Sequence, residues 1–268
     1  MQTRIVNAIL GGALSMTDTI CHVHLVTPII SVGFRDDSAL HQEVAGLCRL
    51  TSTFLDKGPA SVESAVDEIL AAPGVVDAAL RAEADGADAV VIDCMLDPGL
   101  DAAREAVSIP VIGAGEAGLA AAAAFGRFSV VTVLQRQEPM FQALALRHGL
   151  GASLASVRGI GVPVLELERD REASVAKTVP VCRAARDSDG ADAIVFGCTG
   201  MLGFAVPVAD AIGWAHERII DPLPNAIRAA VAAAGAGAPH HPAPERKRVR
   251  GFEKWTALAE LMRPEGGR

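Results

Sequence analysis

The sequence predicts an α/β protein built from two similar lobes, each a parallel sheet covered by helices on both faces. Three observations carry that expectation. The stretch DGADAVVIDC (85–94) returns as DGADAIVFGC (189–198), identical at seven of ten positions and displaced by a constant 104 residues. HLVTP (24–28) and SVVTV (129–133) share Val and Thr at an offset of 105, so the echo reaches a second strand in each half. Finally, short Val- and Ile-rich runs alternate with longer amphipathic stretches. Runs apolar on both faces suit buried parallel strands, and β/α alternation suits a sheet covered on both sides.

Taken in order, strands are expected at 22–27 (HVHLVT), 89–93 (AVVID), 107–112 (VSIPVI), 128–134 (FSVVTVL), 157–160 (VRGI), 193–197 (AIVFG) and 218–220 (RII). Helical spacing falls between them at 61–70, 75–84, 101–106, 116–125, 139–148, 173–187 and 224–234. Lobe one is placed at 21–113 plus a returning segment at 214–235, and lobe two at 114–213. Residues 1–20 form an N-terminal extension, and 236–268 a Pro- and charge-rich linker and tail with a short helix at 253–262.

Composition narrows the function. Half of the 268 residues are apolar, enough for each lobe to bury a core. There is no Tyr and aromatics are only 4%, so stacking platforms for nucleic acid are scarce. The net charge of −8 argues against binding nucleic acid or an anionic membrane, and the basic run 246–250 reads as a solvated tail. No charge-free apolar run is long enough to span a bilayer. The first twenty residues contain a short apolar stretch, but Asp18 and the lack of a small-x-small site count against a signal peptide. Five cysteines without a CxxC form neither a disulfide framework nor a zinc site. A cytoplasmic homo-oligomer with reduced thiols is expected, its partner a small-molecule substrate, with no metal and no cofactor.

Cys94 and Cys198 end equivalent strands, where open parallel sheets bind ligands. A Gly-containing turn and a helical stretch follow each, which predicts thiols with lowered pKa at helix N-termini. Facing lobes would set the two sulfurs on opposite sides of one planar carbanion. A proton could then leave one face and return to the other, the requirement of racemisation by two acid–base groups, with nearby N–H groups holding the enolate. A single Cys ending a core strand is ordinarily packing; its recurrence in a duplicated strand is what favours chemistry. Cys21, Cys48 and Cys182 lack such a pattern and read as packing.

At these residues the chain resembles the aspartate/glutamate racemase superfamily, in particular its hydantoin racemase-like branch. The matching pieces are GPASVESAVDE (58–68), VVIDCMLDPGLDAARE (90–105), PVIGAGEA (110–117), FSVVTVL (128–134), FGCTGM (196–201) and IIDPLPNAI (219–227). The resemblance implies two flavodoxin-like lobes and two-base, metal-free, cofactor-independent chemistry, with Cys94 and Cys198 as the catalytic pair. It places the backbone of Met95, Leu96, Thr199 and Gly200 around the substrate. The family's Asn-Pro-Asn-Thr segment maps onto Thr27, Pro28, Ile29 and Ile30, where only the Pro matches; ILGG at 9–12 is a second mapping. Thr27 is preferred because Thr132 echoes it, which puts Thr27, Pro28 and Thr132 beside the substrate. Gly200 stands where glutamate racemases carry a His, which argues against glutamate. A hydantoin ring suits the apolar neighbours of the cysteines better than a second carboxylate, because no Arg lies in either cysteine turn and an unpaired buried charge is costly. Racemisation of an acidic amino acid, or a related decarboxylation or isomerisation, is the alternative on the same scaffold.

Two readings from other classes stay open. Gly113-Ala-Gly115-Glu-Ala-Gly118 is a literal GxGxxG between a strand and a helix; a turn with close helix packing is the preferred reading, but Arg136 could meet a 2′-phosphate, as in an NADP-dependent oxidoreductase. A non-catalytic ligand-binding protein would use the cysteines only for packing. His22 and His24 share a strand face but make a poor metal site. His240 and His241 belong to the linker, Glu166 and Glu168 to the surface, and Asp97 is expected to cap the helix that follows it.

Overall fold

The computed structural model describes residues 20–236. ILGG at 9–12, His240–His241, the basic run 246–250 and the helix expected at 253–262 lie outside the described residues. In chain order the first half supplies β1 (His22–Thr27), α1 (Ser38–Val44), β2 (Arg49–Phe54), α2 (Ala65–Ala84), β3 (Ala89–Ile92), α3 (Leu100–Ala106), β4 (Val111–Gly113) and α4 (Ala114–Ala123). The second half supplies β5 (Phe128–Thr132), α5 (Glu138–Arg147), β6 (Leu154–Gly159), α6 (Arg171–Asp187), β7 (Ala193–Phe196), α7 (Ala205–Ile212), β8 (Ile219–Ile220) and α8 (Pro222–Gly235).

These strands form two four-stranded parallel sheets with one topology used twice, β2-β1-β3-β4 and β6-β5-β7-β8. The duplicated segments AVVI and AIVF are β3 and β7, inner strands whose every residue is buried. Three elements are absent from the sequence expectation, and each has a reason. β2 (RLTSTF) is a half-exposed edge strand with a polar sequence. Helices α1 and α7 are only seven and eight residues long, too short for a clear 3.6 period. The helices expected at 61–70 and 75–84 are a single helix, α2, which runs through Pro73 after an Ser64 N-cap whose hydroxyl accepts from the Asp67 amide. The strand expected at 107–112 shrinks to β4, because Pro110 has no N–H for the ladder and Val107 already ends α3.

Two helices cross between the sheets. α4 leaves the first sheet and packs on β7 and β8 of the second; α8 leaves the second sheet and packs on β3 and β4 of the first. They also pack on each other, at Gly118, where a Cβ would lie 2.8 Å from Pro222. One apolar core therefore runs from Val23 in the first sheet to Val195 in the second, and a second cluster lies under α6 and α7. Among the described residues no helix is long and apolar enough to cross a membrane.

Candidate active site

In each sheet the chain leaves the first strand in one direction and returns on its other side, which creates a switch point at the strands' carboxyl ends. Thr27 ends β1 and Thr132 ends β5; Cys94 and Cys198 each lie two residues beyond β3 and β7. Both cysteines line one cavity between the lobes, together with Thr27, Pro28, Met95, Leu96 and Thr199. Ile29, Phe34, Val62 and Val164 make its wall largely apolar. The enclosed space is about 30 Å³, room for about one water. A wider groove of about 510 Å³ runs along the β6 edge, but it is open and polar and holds no cysteine; its Gln135 and Glu138 bond to each other.

The lowered thiol pKa expected from helix N-termini is not what the structure shows. α3 starts only at Leu100, six residues past Cys94, and Cys198 precedes a single 3₁₀ turn. Burial dominates instead. It pushes Cys94 well above the usual thiol value, against the Leu96 amide that donates to its sulfur, while Cys198, Asp97 and Asp93 add to the rise. Burial pushes Cys198 up to about 12, against the Gly200 amide and the nearby Arg35 charge. Each sulfur thus accepts from the backbone amide two residues further on, Leu96 in one lobe and Gly200 in the other. Gly200 meets the site through this amide and Thr199 through its place in the cavity wall.

An arginine is present after all, brought from the loop after β1 rather than from a cysteine turn. Arg35 is buried and donates to Asp93 (2.9 and 3.3 Å), to Asp37 (2.6 Å) and across the lobes to the Thr199 carbonyl (2.8 Å). Thr27 donates to the same Asp93 carboxylate at 3.0 Å, and the Thr199 hydroxyl donates to the Asp93 carbonyl at 3.3 Å. The sequence hid this residue because a lone arginine in the loop between β1 and α1 carries no periodic signal. On the other rim, Glu63 accepts from the Val164 amide (2.8 Å) and from Arg136 (3.1 Å), a second tie between the lobes.

Thr132 does not line the cavity, contrary to the sequence expectation. It is fully buried, with its hydroxyl 2.8 Å from Gln137 Oε1 and 3.2 Å from the Gly197 carbonyl. The side chain that reaches the cavity in its place is Gln137.

Asp97 caps a helix, but α4 rather than the α3 that follows it. It adopts φ +48°, a left-handed conformation that Asp tolerates better than most residues. Its two carboxylate oxygens accept from the Gly115 and Glu116 amides, each at 2.8 Å. This explains the GxGxxG. A Cβ at Gly113 or Gly115 would overlap the Asp97 carboxylate or the Met95 carbonyl, and one at Gly118 would meet Pro222. The amides that a dinucleotide phosphate would need are held by Asp97, and Arg136 is paired with Glu63. The nucleotide reading falls on that geometry. Burial pushes Asp97 up to about 8 despite the two amides. The second crossing helix repeats the device: Asp221 caps α8 and also accepts from the Gly203 amide beside the Cys198 turn, with burial raising it to about 6.

The remaining candidates are structural. His22 and His24 both bond Thr51 Oγ1, at 2.7 and 2.8 Å. Glu166 and Glu168 pair with Arg169 and Arg171 at the surface. Cys48 and Cys182 are buried and Cys21 packs against the core.

Twin sheets with a cysteine beyond each switch point define a pseudo-symmetric α/β scaffold of the racemase class. The family described as Asp/Glu/Hydantoin racemase matches residues 37–230, and the chain belongs to it; it is an isomerase. Relatives include a hydantoin racemase of Rhizobium meliloti, 36% identical over 222 residues, covering 81% of this chain and 90% of that protein. A hydantoin racemase of Paenarthrobacter aurescens is 33% identical over 212 residues, covering 75% of this chain and 89% of that protein. Among solved structures, an allantoin racemase from Klebsiella pneumoniae superposes with a TM-score of 0.80 at 30% identity, covering 89% of this chain and 98% of that one.

Proposed function

We propose that the protein racemises hydantoin-type rings with Cys94 and Cys198 as its two acid–base groups and without a cofactor. The observation that carries the reading is the pair of equivalent thiols on one cavity, each accepting an amide hydrogen bond from the residue two further on. One sulfur, as thiolate, takes the proton from the ring carbon between the substituent and the carbonyl. The electron pair moves onto that carbonyl oxygen, and the other thiol returns a proton to the opposite face. The pair ends with its protonation reversed, ready for the opposite enantiomer. Each positioned acid or base is worth about 10²- to 10⁴-fold.

The wall chemistry favours a neutral ring. The buried cation near the thiols, Arg35, is already engaged by Asp93, Asp37 and the Thr199 carbonyl. A second carboxylate would therefore meet apolar side chains instead of a partner. The relatives named as hydantoin and allantoin racemases point the same way. A five-membered ring needs more than the space of about 30 Å³ enclosed between the lobes, so the cavity walls must move apart to admit it.

The test is exchange of the ring C–H with D₂O for 5-substituted hydantoins, allantoin, Asp and Glu, followed by chiral analysis. Cys94→Ser and Cys198→Ser should each abolish interconversion, and each should leave washout only from the enantiomer facing the surviving thiol. Normal racemisation by both variants would end the two-thiol mechanism.

A further inference from the structure

We propose that Gln137 is the side-chain donor for the substrate carbonyl next to the reacting carbon, a role that rests on the hydantoin reading. Gln137 is 2% exposed and lines the cavity with both thiols. Its Oε1 is held from behind by the Thr132 hydroxyl at 2.8 Å and the Leu134 amide at 3.4 Å. The Leu134 N–H can only donate, so it fixes which end of the side-chain amide faces back and leaves Nε2 at the free end. Nε2 has no hydrogen-bond partner among the described residues and yet is not sealed in protein. In a side chain this buried, the space it meets is the cavity. A buried amide N–H₂ without a partner costs free energy, which a ligand acceptor would recover.

The chemistry of that end selects the ligand group. An amide N–H₂ only donates, so it requires an acceptor. The acceptors of a neutral hydantoin ring are its carbonyl oxygens. Gln137 lines the same cavity as both sulfurs, so the oxygen assigned to it is the one next to the carbon being deprotonated. Negative charge grows there as the proton leaves, and the hydrogen bond strengthens in the transition state. Placement follows from the second switch point. Gly197 has no side chain, and a Cβ there would lie 2.5 Å from the Thr132 Cβ. Thr132 can therefore sit deep, behind Gln137, and orient it.

The experiment follows C5 proton exchange and racemisation of 5-benzylhydantoin and of its 4-thio analogue, whose sulfur is a weak acceptor. Gln137→Met removes both ends of the amide. Gln137→Glu keeps the acceptor for Thr132 and Leu134 and removes the N–H₂, and thermal melts confirm that both variants fold. Loss of one such donor costs about 10²- to 10³-fold in kcat, with KM little changed, and the loss should shrink at least tenfold on the 4-thio substrate. Wild-type kcat in both variants overturns the proposal, as does an equal loss on both substrates, the sign of a merely structural role. If the wild-type protein exchanges no hydantoin at all, the hydantoin reading fails. Calorimetric titration with 5-benzylhydantoin then decides for Gln137: weaker binding by Gln137→Met than by wild type upholds the donor, and equal or absent binding overturns it.

Discussion

At the end of β1, the Thr27 hydroxyl turns to the Asp93 carboxylate, and Arg35 closes the group. At the end of β5, the Thr132 hydroxyl turns to the Gln137 amide, because the position matching Asp93 is Gly197. The duplicated frame keeps the hydroxyl and the thiol at both places but carries a charge pair at only one. A buried carboxylate needs a buried cation, and a second such pair would double the desolvation cost. The neutral side instead offers a donor with no charge to desolvate. The difference also reaches the sulfurs: burial raises both, but Arg35 draws Cys198 down against Asp93 and Glu63, while the charges of Cys198, Asp97 and Asp93 all raise Cys94. Of the two thiols, Cys198 is the one with a cation at hand to support its thiolate.

The comparison is broken most forcefully at its charged half. Arg35→Met leaves Asp93 buried without its cation, and denaturant melts should show a loss of about 3–5 kcal/mol; Asp93→Asn in the same background should restore part of it. A smaller effect is expected at the neutral half. Gly197→Ala forces a methyl against Thr132 and should cost about 1–3 kcal/mol, with kcat falling as Gln137 is pushed from its place.

The pH dependence of catalysis sharpens the contrast further. Both thiols are raised, so the reactive thiolate is scarce at neutral pH, and kcat/KM for C–H exchange should climb about tenfold per pH unit from neutral pH into the alkaline range. A flat profile between pH 7 and about 9 would mean that one thiol is already ionised in the free enzyme, against the rise that burial imposes on both. A further effect concerns the two capping carboxyls. A carboxyl whose pKa rises on folding, here from 3.8 to about 6 for Asp221 and about 8 for Asp97, stabilises the fold below the unfolded value. It gives up that contribution as pH rises through the folded value. The melting temperature should therefore fall steadily from about pH 4, less steeply above about pH 6, and level off above about pH 8, and Asp97→Asn should remove the decline between about pH 6 and 8.

The sequence made the frame legible wherever burial wrote a pattern. AVVI and AIVF announced both inner strands, their repetition announced the second sheet, and the strand ends placed both cysteines. It was silent where position depends on contacts across the chain. β2 has the composition of a loop because one edge faces solvent. Arg35 and Gln137 lie in connections whose course is set by the opposite lobe or by a glycine sixty residues away. The GxGxxG was ambiguous for a related reason: close approach of backbone to an anion requires glycine whether that anion is a phosphate or the protein's own Asp97.

The crossing of α4 and α8 has a further consequence. A cut near Gly126 would part the polypeptide into two pieces of equal topology, yet each would take with it the helix that roofs its sibling. Neither piece owns a finished interior. The two should behave as complementing fragments, inert and sticky apart and restored on mixing, so the unit of folding is the whole pair and not the repeat.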